Sequence, residues 1–248
     1  MDGLTFWFMA TFAAFCVGLG KGGVPVITAM AVPLMSLVMS PILAAGLLLP
    51  VFIAADMGGL YAYRRTFQPR VLKIMMVAMP IGVFIGWATS AYVSEGMVTI
   101  LIGLIGVLFA LNMILRKPVT ATPRDARWKP GLFWGTITGF TSFVSHSGST
   151  PYQVYTLPLG MDKITYAGTV TVAFAYVNIV KLIPYYALGQ LSFENLKTAC
   201  ALMIPAVTGV AVGVKLVKVM PEKLFFRIII WALLILSIKL VWDGIGRL

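Results

Sequence analysis

Long apolar runs follow one another along almost the whole chain, separated by short breaks that contain glycine, proline or charged residues. The runs cover about residues 4–18, 24–39, 41–63, 71–93, 96–115, 131–145, 149–161, 163–188, 197–217 and 223–246. A helical run of about 20 apolar residues spans the roughly 30 Å hydrocarbon core of a bilayer. The pattern therefore predicts an all-α integral membrane protein with about ten hydrophobic segments.

The first five segments and the last five share one rhythm. Each set opens with two short segments of about 15 residues and continues with three that are long enough to span a bilayer. Pro80 and Pro205 occupy matching positions about 125 residues apart. We predict two membrane repeats, residues 1–115 and 131–248, joined by a polar cytoplasmic linker at 116–130.

The charges of the loops predict that the two repeats are inverted. Cytoplasmic loops are rich in Lys and Arg. The loop with Arg64 and Arg65 is basic, whereas its counterpart near Glu194 and Lys197 is not. For the next pair of matching loops the order is reversed. The loop of the first repeat contains Glu95, whereas the loop of the second repeat is flanked by several cations: Lys215, Lys218, Lys223 and Arg227. Inverted repeats are a common plan for secondary transporters, and here both termini are predicted outside.

The short segments at the start of each repeat allow two arrangements. Each pair could cross the bilayer twice or fold back as a re-entrant helical hairpin. Both arrangements leave an odd number of membrane crossings in each repeat. The short lengths and the glycine-containing breaks favour half-helices that meet near the midplane, where protein or water surrounds the non-helical backbone. We predict that these segments are broken or re-entrant.

Composition supports the membrane assignment and removes several classes of function. The 248 residues are 60% hydrophobic and 11% charged, with a net charge of +11. Most of the cations lie in short loops, which is typical of membrane orientation rather than nucleic-acid binding. The two cysteines and the single histidine, His146, form no metal-ligand motif, so the sequence predicts neither a metal site nor a cofactor.

The two breaks, at residues 18–25 and 145–151, are the first candidate site. Each combines small residues with one basic side chain, Lys21 or His146. Glycine permits close backbone approach, and the positive end of a helix that follows it favours an anion. An alternative is that the glycines pack helices while Lys21 reaches the membrane interface. The predicted substrate-binding residues are Lys21, Gly22, Gly23, His146, Ser147, Gly148, Ser149, Thr150, Tyr152, Gln153, Asn178 and Lys181.

Two ionisable residues lie inside long apolar segments at matching positions of the two repeats. Asp56 is eight residues before Arg64, and Lys181 is eight before Gly189, so each lies about 12 Å of helix from its loop. A charge at that depth is costly and indicates function by default. The alternative is a structural salt bridge between Asp56 and Lys181. Because cations outnumber Asp56, we expect an anionic substrate, with Asp56 or His146 as candidates for proton coupling; His146 could instead be a hydrogen-bonded structural residue.

Three stretches resemble the sulfite exporter TauE/SafE family, also described as toluene sulfonate uptake permeases. They are residues 18–25, 143–153 and 174–185, and the resemblance covers nearly the whole chain. It implies transport of sulfite, sulfonates or related organosulfur anions across the bacterial inner membrane. Lys21 stands where many relatives have a glycine, and Gly148-Ser149-Thr150-Pro151 replaces a run that often resembles Gly-Gly-Pro-Pro. Both differences add hydrogen-bond donors.

Taken together, the sequence predicts a multi-pass inner-membrane transporter of a small organosulfur anion that works by alternating access, and not an enzyme. The expected partners are the anion and the lipid bilayer. An anion channel or a transporter of a carboxylate would fit the same electropositive pathway. An intramembrane hydrolase built from His146 with Ser142, Ser147 or Ser149 fits less well, since no G-x-S-x-G element accompanies them.

Overall fold

Regular secondary structure is entirely helical in the part of the chain that the structure describes. This computed structural model describes residues 3–28, 30–35, 37–39, 41–90, 92, 94–115, 123–144, 147–188 and 193–246. The helices are α1 (Leu4–Lys21), α2 (Pro25–Thr28), α3 (Ala31–Met35), α4 (Pro41–Tyr63), α5 (Pro69–Thr89), α6 (Glu95–Leu115), α7 (Trp128–Val144), α8 (Ser149–Thr156), α9 (Lys163–Ala187), α10 (Phe193–Val219) and α11 (Glu222–Ile245), with a 3₁₀ turn at Leu157–Leu159. The predicted all-α class is confirmed.

Seven of the described helices are long and apolar enough to cross a membrane: α1, α4, α5, α6, α9, α10 and α11. Helices suit this environment because they satisfy every backbone polar group internally, which lipid cannot do. The chain is therefore a multi-pass membrane protein.

Two of the four short predicted segments, 24–39 and 149–161, contain interrupted helices, whereas 4–18 and the described part of 131–145 each lie in one continuous helix. The first of these, α1, is long enough to cross a membrane. Residues 24–39 contain the two separate helices α2 and α3, and α8 continues into the 3₁₀ turn. One boundary differs from the prediction, because α1 continues through Gly18 and Gly20 and ends at Lys21. The first break thus begins after Lys21, and part of the predicted linker, residues 116–122, lies outside the described residues.

The chain forms two compact units, each built from both ends of the sequence. Unit 1 contains Met1–Phe67 and Ile164–Met220. In it α1 and α10 run parallel, because Gly18 lies against Ala206 while Gly22, one turn later, lies against Val210. The missing side chains at both glycines let the two backbones approach closely, as small residues do between membrane helices.

Helices α4 and α9 of unit 1 run antiparallel. Gly168, near the start of α9, lies against Tyr63 at the end of α4. Asn178, further along α9, donates a hydrogen bond to Asp56, which precedes Tyr63 in α4. This arrangement places the polar residues in the middle of both helices beside each other.

Unit 2 contains Gln68–Lys163 and Pro221–Leu248 and repeats both kinds of packing. Helices α5 and α7 run parallel, since Gly131 lies against Ile74 and Gly86 lies against Phe143. Helices α6 and α11 run antiparallel, since Gly96 lies against Gly244 while Gly103, further along α6, lies against Val241. Each unit therefore has one parallel and one antiparallel helix pair.

In unit 2 the chain turns back after α7. The backbone N–H of Arg124, just before α7, donates to the carbonyl of Pro158 in the 3₁₀ turn at a distance of 3.1 Å, and Gly160 lies against Pro123. The segment after α7 thus ends where α7 began. This is the geometry of a helical hairpin.

Unit 1 requires a similar return between α1 and α4. Tyr63, the last residue of α4, contacts Gly22 just after α1. Since α4 has 23 residues and is about 34 Å long, Pro41 lies far from Gly22. One straight helix of residues 23–40 would reach only about 27 Å. The described part of this segment contains two separate short helices, α2 and α3, instead of one straight helix.

Candidate functional site

Three charged side chains are buried in unit 1. The exposed fractions are 5% for Lys21, 3% for Asp56 and 3% for Lys181, and these are the buried charged residues among the side chains that the structure describes. They come from the end of α1, the last third of α4 and the second half of α9. A charge in this setting is costly unless other groups compensate it.

Asp56 lies at the centre of this group. The Nζ atom of Lys21 forms an ion pair with Oδ1 of Asp56 at 2.6 Å. The side-chain amide of Asn178 donates a hydrogen bond to Oδ2 at 2.7 Å. The structure thus gives Asp56 an ion pair with Lys21, because α1 ends beside the last third of α4.

Aromatic rings cover the ammonium group of Lys21. Its Nζ atom lies 5.6 Å from the ring centroid of Phe52 and 5.9 Å from that of Phe174. Phe52 precedes Asp56 by one helical turn, and Phe174 precedes Asn178 by one turn. Each ring therefore lies on the same helix face as a polar residue of the buried group. Neither ring is among the residues predicted from the sequence, although the spacing of four residues between each ring and a polar residue could have indicated both.

The end of α1 is fixed by hydroxyl groups from two helices. Tyr63 Oη donates to the carbonyl of Gly22 at 2.6 Å, and Thr171 Oγ1 donates to the carbonyl of Lys21 at 3.2 Å. Carbonyls at a helix end have no intrahelical partner, so such donors satisfy them. Gly59 of α4 has no side chain, and this absence lets α4 pack closely against the carbonyl of Lys21 and against Thr171 of α9. The backbone that carries Lys21 is therefore held in one position.

Lys181 adds a second cation to the group. It follows Asn178 by one helical turn and interacts electrostatically with both Lys21 and Asp56. Two lysines and one carboxylate leave an excess positive charge when all three are ionised. The buried group in unit 1 is therefore suited to an anion.

The second predicted set of residues lies in unit 2, around the start of α8. Ser147, Ser149, Thr150, Tyr152 and Gln153 are all buried, with exposed fractions of 8% or less. Gly148 packs against the backbone of α7, which brings the start of α8 close to that helix. His146 lies outside the described residues.

Gln153 has unused hydrogen-bonding capacity. Its side chain is fully buried, and neither its amide nitrogen nor its amide oxygen has a partner among the described residues. The hydroxyls of Ser149 and Thr150 are also buried without a partner there. Buried polar groups normally find partners, so these atoms indicate a place for a polar ligand or for water.

The structure thus brings Lys21, Asn178 and Lys181 together around Asp56, whereas residues 147–153 belong to the other unit. The prediction that both breaks hold one anion stays a prediction. No three His, Cys, Asp or Glu side chains group as metal ligands in the part of the chain described.

The glycines of the first break pack helices. A Cβ atom on Gly22 would lie 2.6 Å from the carbonyl oxygen of Val210, and Gly23 has a positive φ of 117°. The helix that follows, α2, has four residues, too few for a substantial helix dipole. Within the first break, the side chain of Lys21 supplies the positive charge.

The chain matches a known protein family. The family model described as "Sulfite exporter TauE/SafE" matches residues 5–240. Curated proteins and solved structures yield no match to this chain.

Proposed function

This chain belongs to the sulfite exporter TauE/SafE family, and we propose that it is a secondary transporter of a small organosulfur anion, a sulfonate or sulfite. It works by alternating access in the bacterial inner membrane. The observation that carries the proposal is the buried group of Lys21, Asp56 and Lys181, in which cations exceed anions. Such a group gives an anion a favourable position inside an apolar protein.

The helix directions support inverted repeats. Helices α4 and α9 are predicted counterparts in the two repeats, as are α6 and α11, and the members of each pair run antiparallel. The parallel pair of α1 and α10 corresponds to the parallel pair of α7 and α5 when the repeats are exchanged. The fourth segment of each repeat thus packs against the first segment of the other repeat, as expected when two inverted repeats exchange helices. Inverted repeats suit alternating access.

In this mechanism Asp56 acts as an internal competitor of the substrate. While the site is empty, Asp56 neutralises Lys21. An oxyanion that arrives beside Lys21 and Lys181 competes for the same ammonium group. Protonation of Asp56 would release Lys21 to the oxyanion, and this exchange would couple proton movement to transport. Phe52 and Phe174 keep the exchange shielded from water.

Residues of the second break form a second group of candidate ligands, within unit 2. The unpartnered hydroxyls of Ser149 and Thr150 and the amide of Gln153 can donate to sulfonate oxygens. His146 and Ser147 precede them and are proposed to act with them, as are Tyr152 and Gly148. His146 remains a second candidate for proton transfer because its ordinary pKa lies near 6.5.

Lys21→Ala tests this proposal in proteoliposomes that are loaded with a panel of sulfonates, sulfite, thiosulfate and carboxylates. We expect counterflow of one organosulfur anion in the wild type and a loss of at least about thirtyfold in the variant, since a buried charge-assisted contact contributes about 2–5 kcal/mol. Lys239→Ala is the matched control, because Lys239 pairs with Asp243 on the surface of α11. It should keep wild-type transport.

Stability measurements separate the site from the fold. Lys21→Ala leaves Asp56 buried without its ion pair, whereas Lys21→Met combined with Asp56→Leu removes both charges and should restore thermal stability without restoring transport. Unchanged counterflow in Lys21→Ala would overturn the site. Flux that does not saturate and shows no counterflow would indicate a channel, and counterflow of carboxylates alone would remove sulfur from the assignment.

A further inference from the structure

A groove on the surface of unit 1 is independent of the buried charged group. It lies between the last turns of α4 and the second half of α10, and its volume is about 480 Å³. This volume lies in the range of roughly 300–1,000 Å³ that is typical of small-molecule pockets. Nothing in the proposed transport mechanism uses this groove.

The floor of the groove is apolar. Val207, Val210 and Val214 line it from α10 at spacings of three and four residues, which place them on one face of the helix. Gly58 lines it from α4, and a Cβ atom there would lie 3.3 Å from Val210 Cγ1. The absence of a side chain at Gly58 therefore keeps the groove open along the valine stripe.

One end of the groove is basic. Lys215 and Lys218 line it from α10, and the exposed ring of Tyr61 lines it from α4. The guanidinium of Arg64 lies 4.4 Å from the centroid of the Tyr61 ring, which brings a third cation to this end. Tyr61 is 73% exposed, as is usual for a tyrosine at the membrane interface.

The position of these cations matches the side of the membrane that the sequence predicts for them. The loop after α4 and the loop after α10 belong to different repeats, and the charges of each loop independently predict that it is cytoplasmic. The structure places the ends of both helices at the same groove. The cytoplasmic leaflet carries anionic lipid headgroups, which attract lysine and arginine close to the surface.

Stabilisation of the end of α10 explains only part of this arrangement. Lys218 lies in the last turn of α10, where a cation is favoured by the helix dipole. The dipole does not account for the apolar stripe, for the glycine opposite it, or for Lys215 one turn earlier. An amphipathic ligand accounts for all of these features together.

We infer that this groove binds an anionic phospholipid of the cytoplasmic leaflet. The phosphate lies between Lys215 and Lys218 beside Tyr61, and one acyl chain lies along Val207, Val210 and Val214. The site is a lateral lipid site, separate from the path of the transported anion.

Native mass spectrometry of the purified full-length protein tests the assignment. The protein is titrated with phosphatidylglycerol and with phosphatidylcholine that has identical acyl chains. We expect the wild type to prefer phosphatidylglycerol, and Lys215→Gln with Lys218→Gln to weaken its binding about twenty-five-fold, since each lysine near an anionic surface contributes about fivefold. Lys239→Gln, which removes an exposed lysine on α11, should leave the preference unchanged.

A second variant tests the apolar part of the site. Ala211→Phe fills the groove and keeps both lysines, so it should reduce phosphatidylglycerol binding at least fivefold, while inorganic phosphate at equal concentration should not compete. Equal binding of the two lipids by the wild type would overturn the inference. Undiminished phosphatidylglycerol binding in Ala211→Phe, or displacement of the lipid by inorganic phosphate, would also overturn it, because either result would indicate an ion site without a lipid groove.

Discussion

Asp56 illustrates what a single buried residue contributes to the proposed transport. A buried ion pair is seldom a gain in stability over apolar residues of similar size, whereas loss of one partner costs about 3–5 kcal/mol. We therefore propose that the pair of Lys21 and Asp56 is retained for transport, as a charge that a substrate can displace. Phe52, Phe174 and Asn178 hold the pair in place and limit its contact with water.

Gln153 provides a test of the second break at the residue scale. Gln153→Leu replaces a fully buried, unpartnered amide by an apolar group of similar size. We expect the variant to be more stable by about 1–3 kcal/mol, which corresponds to about 2–4 °C in Tm for each kcal/mol. Transport should fall at least tenfold, because a ligand contact is lost. Thermal unfolding in detergent and counterflow measure the two effects.

Thr156→Val is the matched control for this prediction. Thr156 is also fully buried in α8, but its hydroxyl donates to the carbonyl of Tyr152 at 2.8 Å. Loss of this hydrogen bond should lower the free energy of unfolding by about 1 kcal/mol and leave transport unchanged. A Gln153→Leu variant that is both less stable and fully active would contradict a binding role for Gln153.

At the scale of elements, glycine seams decide which helices pack. Gly18 and Gly22 let α1 approach α10, and Gly82 and Gly139 do the same for α5 and α7. Without a hydrophobic force between helices in lipid, close backbone contact is a main source of association. The seams also explain why the first break is rich in glycine.

Gly82→Ala tests the seam between α5 and α7. Its Cβ atom would run into the carbonyl group of Thr136, so we expect a loss of about 1–3 kcal/mol from overpacking. Gly246→Ala serves as the control, because the nearest atom to its Cβ is the carbonyl oxygen of Asp243 at 3.7 Å. Thermal unfolding that is equal for both variants would contradict the close packing.

At the scale of the whole molecule, two compact units are assembled from both halves of the sequence. The predicted boundary at 116–130 divides the sequence repeats, and the compact units do not follow it. Unit 1 takes α9 and α10 from the second half, and unit 2 takes α5 and α6 from the first. Each compact unit therefore contains helices of both predicted repeats.

Cysteine labelling tests the inverted arrangement. In a background of Cys16→Ala and Cys200→Ala, we expect Arg65→Cys and Lys218→Cys to react with a membrane-impermeant maleimide from the cytoplasmic side. Gly3→Cys should react from the opposite side, because the loop charges place the N-terminus outside. Labelling of positions 65 and 218 from opposite sides would rule out inversion.

The sequence by itself determined the helical class, the approximate limits of the segments and three of the residues that meet around Asp56. These follow from local chemistry, since lipid excludes unpaired backbone groups and a charge inside an apolar segment, such as that of Lys181, is conspicuous in the sequence. Lys21 and Asn178 were identified by the same means. The depth of a charge in an apolar segment can be counted along the chain.

Only the tertiary structure decided which partners these residues have. It extended α1 to Lys21, paired Lys21 with Asp56, and placed the hydroxyls of Tyr63 and Thr171 on the carbonyls at the end of α1. These contacts join helices that are far apart in sequence. They depend on the crossing points set by glycine seams, which are properties of two helix surfaces together and of neither sequence segment alone.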